Sequence, residues 1–259
     1  MDVYISTWPS LGIVTFVCIV VGAVTTGIFV FIRVISATRW GGTAMNVVSP
    51  QLLSVVAILY ALLTSFLGNS VWTDNTQARR VVAEEARALD QVLLLAKGLP
   101  EDMRTAVRLW VSDYVGTVVR EEWPEMIAGT PGNKPYEVLY QALEAVIATQ
   151  TTTHGEEVAQ TMVLQALNDA LSARSQRIHL SQEKIGNVKW AVLLFLGALV
   201  LWTTGVLHHS NRIALATALG ICSAGIAASL TLIISYDRPF VGEHAVLPTP
   251  LLHLSIPSD

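Results

Sequence analysis

Three large apolar side chains, Ile58, Leu62 and Phe66, recur every fourth residue inside an uncharged run. On a helix that spacing puts them on one stripe. Such a row most simply contacts lipid or a neighbouring helix; were copies of it to face a common axis, the narrow apolar rings would offer an ion no replacement for its hydration shell, which is the chemistry of a gate. Small or polar neighbours, Ser54, Ala61, Thr64 and Ser65, alternate with the stripe, as is common where membrane helices approach closely. Beyond the run stand three carboxylates, Asp74, Glu84 and Glu85, which could charge the mouth of an opening.

Other groups invite chemistry less strongly. Glu121-Glu122 and Glu156-Glu157, like Glu84-Glu85, could act as bases or ligands. Adjacent residues on a helix point in different directions, however, and a solvated helix surface is the simpler reading. His208-His209 has no carboxylate or cysteine beside it; two ligands do not complete a metal site, so a polar loop is expected and no metal or cofactor. Cys18 and Cys222 lie inside apolar runs and read as packing residues. The chain has no Gly-rich phosphate cradle, no His-Glu-x-x-His and no nucleophile elbow, which argues against an enzyme. A net charge of −4 excludes a polybasic nucleic-acid surface.

The elements that must position these residues follow from composition. With 52% hydrophobic residues, 14% charged and a mean hydropathy of +0.51, the chain is a membrane protein. Four runs, about 11–32, 52–72, 188–207 and 213–234, are long enough to cross a bilayer. None contains Asp, Glu or Arg, which disfavours a proton-coupled transporter. Residues 1–10 carry no Lys or Arg and no small-residue cleavage site follows, so the first run is expected to stay in the membrane, with Trp8 and Pro9 at the interface. Gly22, Ala23, Thr26 and Gly27 in the first run, and Ala216, Gly220, Ala224 and Ala228 with Gly225 and Ser229 in the fourth, predict close packing against other helices.

The second run passes without a breaker into a charged, helix-favouring segment, predicting one helix over residues 51–97. At about 1.5 Å per residue it would be about 70 Å long, more than twice the hydrocarbon thickness. Gly98-Leu99-Pro100 stops it. The next helix turns Met103, Val107, Trp110, Val111, Tyr114 and Val118 inward, and Pro124 should bend or end it. After a loop at 129–135, Tyr136, Leu139, Tyr140, Leu143, Val146 and Ile147 share a helix face. A last helix over 156–185, with Val163, Leu167, Ala170, Leu171 and Ile178 inward, should run on into the third span.

The predicted fold is therefore all-α: four transmembrane helices in two hairpins, with an all-helical cytoplasmic bundle inserted between spans 2 and 3. Residues 1–73 form the first hairpin, 74–187 the bundle, 188–235 the second hairpin and 236–259 a cytoplasmic tail. Arg79, Arg80, Arg87, Arg174, Arg177, Lys184 and Lys189 flank the central segment, whereas the loops opposite, the first of them containing Gly41-Gly42, offer Arg33, Arg39 and Arg212. By the positive-inside tendency, the bundle and both termini are cytoplasmic.

Ser65-Phe66, then Trp72, Ala78-Arg79, Glu84 and Glu85, followed by Glu122-Trp123-Pro124 and by Asp237-Arg238-Pro239-Phe240 with Gly242, resemble the hallmarks of the bacterial bestrophin-like family. That resemblance implies a homo-oligomeric ion channel, favouring a pentamer, in the inner membrane. The second span would line a central pore, with the neck on Ile58, Leu62 and Phe66. Its partners would be the lipid bilayer, small inorganic ions and copies of the chain itself. Ser65 stands where the family pattern has Gly, and Asp74 where many members have a basic residue, which leaves cation or anion selectivity open. Just after Phe240, where animal bestrophins carry a calcium-binding acidic cluster, Glu243 stands alone, so calcium gating is not expected. A different class stays open beside it: a membrane-anchored interaction or signalling scaffold that does not conduct.

Overall fold

The computed structural model of the protein describes residues 10–37 and 49–254. Trp8, Pro9, Arg39, the Gly41-Gly42 loop and residues 255–259 of the tail lie outside the described residues. All regular structure among the described residues is helical. In chain order the helices are α1 (Ser10–Ser36), α2 (Pro50–Leu95), α3 (Glu101–Thr117), α4 (Trp123–Ala128), α5 (Lys134–Ala148), α6 (His154–Gln182), α7 (Asn187–Leu207), α8 (Arg212–Tyr236) and the short α9 (Thr249–Leu252). Of these, α1, α2, α7 and α8 are long and apolar enough to cross a membrane. The 46 residues of α2 run without interruption into a 3-10 turn at Ala96–Gly98, as the absence of breakers predicts.

The described residues fall into two compact units, with α2 contributing to both. The first takes the residues up to Thr73, Lys184–Arg238 and Gly242–His244. Its core is Ile13, Val17, Val21 and Ile32 of α1, Leu67 and Val71 of α2, Leu193 and Leu201 of α7, and Leu215, Leu219, Ile226, Leu230 and Ile233 of α8. Between these helices Thr25 and Ser223 share a hydrogen bond of 2.6 Å, as do Tyr60 and Ser229 at 2.9 Å. Asn211 caps α8 by accepting from the N–H groups of Ile213 and Ala214, and His208 and His209 lie with Nδ1 2.9 and 2.8 Å from carbonyls at the end of α7.

Within the chain the small-residue rows are bare. A Cβ added at Gly22, Gly27, Gly220 or Gly225 would meet nothing within 4 Å, and Ala216, Ala224 and Ala228 are exposed. It is the large apolar face of α8 that packs within the chain. The close approach lies at Gly205 of α7, where a Cβ would collide with Ile32 and touch Ile28 at 3.5 Å. Ile32 is fully buried, so its displaced methyl must be taken up by a close-packed interior. Gly205→Ala should therefore lower the thermal midpoint of the solubilised protein by the equivalent of about 1–3 kcal/mol relative to Gly220→Ala. The comparison cancels the helix propensity that both substitutions gain.

The second unit takes Asp74–Glu183, Pro239–Val241 and the chain from Ala245 on. Its core joins Val81, Val82, Leu89 and Val92 of α2, Val107, Val111 and Tyr114 of α3, Leu139, Ala142 and Val146 of α5, and Val163, Leu167 and Ala170 of α6. On α5 the buried row is Pro135, Leu139, Ala142 and Val146, while Tyr136, Tyr140 and Ile147 are exposed and the two tyrosine rings stack on each other. Glu156, weighed above as a possible ligand, is half of a capping box: its carboxylate accepts from the Thr153 N–H, and its own N–H donates to the Thr153 hydroxyl. Hydrogen bonds from the backbone and hydroxyl of Thr152 hold that carboxyl below the usual range.

Two expected boundaries are corrected. Pro124 does not end the helix, for α3 passes through a π turn at Val118–Glu122 into α4, which stops at Gly129 with φ 84°. The wider turn comes just where Pro124 lacks an N–H and its ring crowds the carbonyl four residues before. Nor does α6 run into the third span: it ends at Gln182, and α7 begins at Asn187. Between them the Ile185 N–H donates to the Asp237 carboxylate at 2.9 Å, a partner outside the helix that satisfies the freed donor.

Candidate functional site

The apolar row is exposed on the surface of the chain: Ile58 at 64%, Leu62 at 55% and Phe66 at 68%. The same stretch of α2 buries Val56, Leu67 and Val71 instead. One face of the helix thus packs within the first unit, and the face carrying the row stays bare. Of the mouth candidates, Asp74 is half-buried and Glu84 exposed. Glu85 is corrected outright, being fully buried in the second unit.

In the first unit the family-like residues serve as anchors. Trp72, exposed, lies against Tyr236 with ring centroids 5.7 Å apart, and Tyr236 stacks on His244 at 5.4 Å. Asp237 holds the Ile185 N–H described above. Glu243 accepts from the Ser10 N–H at 2.9 Å, at the start of α1, and these bonds to Ser10 keep its carboxyl below the usual range.

In the second unit the motif residues converge on a buried ionic cluster. Ala78 is buried in the core, and the Arg79 Nε donates to Asn75 at 3.1 Å. Arg177, with no exposed surface, bridges two carboxylates: its Nε and Nη2 donate to Glu85 at 2.6 and 3.0 Å, and Nη2 also donates to Glu122 at 2.7 Å. Arg174 donates to the second Glu122 oxygen from Nε, at 2.9 Å, and from Nη2, which also reaches the Gly132 carbonyl. Tyr114 donates to Glu85 at 2.6 Å. Trp123 lies under the Arg177 guanidinium, 5.1 Å from its ring centroid, and meets Phe240 edge-on at 5.7 Å. Pro239 is buried beside Phe240, while Pro124 is exposed. Gly242, at φ 95°, turns the chain so that the Pro239 carbonyl accepts from the Val246 N–H at 2.8 Å.

The two guanidiniums and two carboxylates balance, and each charged group has charged partners, which is the condition for burying them. Burial works against the Arg177 charge, but the neighbouring Glu85 carboxylate outweighs it and raises its pKa above the usual value. Burial and the Glu85 charge push the Tyr114 phenol well up, so it remains a donor. These groups are closed on one another and positioned to hold helices together. From the sequence both arginines enter only the charge count, Glu122 reads as solvated surface and Glu85 as a candidate for a mouth. A signal was present: Val163, Leu167, Ala170, Arg174 and Arg177 keep one unbroken spacing of four and three, so the arginines continue the apolar face.

A helical chain with four helices fit to cross a bilayer, and a second unit closed by a buried ionic cluster, defines a multi-pass α-helical membrane protein. Residues 17–251 match the Bestrophin-like domain, and the chain belongs to that family. No curated protein and no solved structure matches it.

Proposed function

We propose that the protein is a bestrophin-like ion channel: a homo-oligomer, with a pentamer favoured, in which α2 lines a central pore and Ile58, Leu62 and Phe66 form its apolar neck. It acts without catalysis. Asp74 and Glu84 remain candidates for the mouth, and Glu85 leaves that set because it is committed to Arg177. The observation that carries this reading is the bare face of α2. Within the protomer, 11% of its most apolar stretch is buried, against 44% for α7, and all three neck residues are among the exposed ones. A cyclic assembly around α2 gives such a face a common axis to line. The excess of Lys and Arg beside the central segment supports a cytoplasmic bundle and cytoplasmic termini, in an inner membrane.

The decisive experiment is to count subunits and look for an axial opening in solubilised particles. A monomer, or a dimer without an axial cavity, would favour the non-conducting scaffold. Assembly has its own test on α8. Because nothing in the protomer lies within 4 Å of a Cβ at Gly220, Gly220→Leu and Ala224→Leu should leave the unfolding of the protomer unchanged while lowering particle mass. An unchanged mass would mean that this face meets lipid.

A further inference from the structure

Where α1, α7 and α8 come together at one of their ends, the first unit contains a cleft of 480 Å³, within the range of small-molecule sites. Its walls are hydrocarbon, including Phe16, Val20, Leu194 and Ile234. Its polar groups gather where α7 begins and α8 finishes: Lys184, Asn187 and Asp237, with Trp190 beside them. Lys184 and Asp237 are its one cation and one carboxylate, and among the described residues no carboxylate pairs with Lys184. Asp237 is fixed by the Ile185 N–H at 2.9 Å.

An apolar cleft between membrane-crossing helices gives water few partners and favours a hydrocarbon chain. At its polar end, a lysine on a flexible stem and a tryptophan mark the level of the lipid headgroups, where both residues are at home. One charge of each sign matches a headgroup that also carries both. The geometry points to a binding site for a zwitterionic aminophospholipid, with one acyl chain along Phe16, Val20 and Leu194, its phosphate on the Lys184 ammonium and its own ammonium towards Asp237. This rests on α1, α7 and α8 crossing the membrane and does not depend on conduction.

The full chain, reconstituted in bilayer discs of phosphatidylethanolamine and phosphatidylglycerol and then released, can be weighed by native mass spectrometry to count retained lipids. Wild type should keep phosphatidylethanolamine about tenfold more strongly than phosphatidylglycerol, the ratio expected for one charge-assisted contact. Lys184→Glu should lose about tenfold of that retention. Ala191→Trp, on an exposed part of the cleft wall, should reduce retention of both lipids without changing particle mass or helix content. If Ala191→Trp does not assemble, the Lys184→Glu comparison decides alone. Wild type retaining no lipid, as it would if another subunit filled the cleft, would overturn the assignment. So would equal retention of the two lipids, or retention untouched by Lys184→Glu.

Discussion

Replacing Ile58, Leu62 and Phe66 together by alanine should raise ion flux through liposomes containing the purified protein by about tenfold or more, since each 1.4 kcal/mol removed from a barrier is about a factor of ten in rate. In a cyclic assembly each residue of the row contributes a ring, and rings four residues apart stack about 6 Å from one another. Large apolar side chains make such rings narrow and prone to empty of water, so removing them lowers the cost of bringing a hydrated ion through. The row is exposed in the protomer, so the three substitutions should leave its core packing untouched. Selectivity should change less, because charged groups such as Asp74 and Glu84 would set it. A correctly assembled triple variant that passes no more ions than empty liposomes would end the gate reading and favour the scaffold.

The other large effect is expected at Arg177. Arg177→Met leaves Glu85 and Glu122 buried without the cation that joins them, a situation that costs about 3–5 kcal/mol. Thermal unfolding of the bundle should fall by about 10 °C or more. Arg177→Lys should recover little of this, because an ammonium cannot reproduce the paired Nε and Nη2 contacts to Glu85. Adding Glu85→Gln to Arg177→Met should restore part of the loss, since the carboxylate left without a cation is gone while Glu122 keeps Arg174. If Arg177→Met unfolds within about 2 °C of wild type, the cluster contributes little to holding the bundle.

The spans were legible because length and apolarity are local properties, and the continuity of α2 because nothing in its 46 residues breaks a helix. What the sequence concealed depends on distant partners. The end of α6 near Glu183 looks helical by composition; it stops where the Ile185 N–H finds Asp237, 52 residues away. Glu122 and Arg174, also 52 residues apart, look like surface charges until each supplies the other's counterion. On α8 the small residues drew attention, yet Leu215, Leu219, Ile226, Leu230 and Ile233 make the protomer's core, and the small row lies outside it. A single sequence does not separate the face a helix uses within its own chain from one it leaves bare. The family-like motifs were read as separate marks, and the contacts of Trp123 with Phe240 and with Arg177 show why three distant segments carry them together.

The ionic cluster also sets an order on synthesis. Arg177 closes on Glu85 across 92 residues and on Glu122 across 55. As the chain grows from its N-terminus, α1 and α2 are complete and both acids have emerged well before either arginine exists. Until then the acids gain more from water than from an apolar interior, so the nascent helices are kept from collapsing around them. The arginines arrive at the end of α6, and α7 follows almost at once. The bundle therefore cannot close around the two acids with their charges paired before α6 is made.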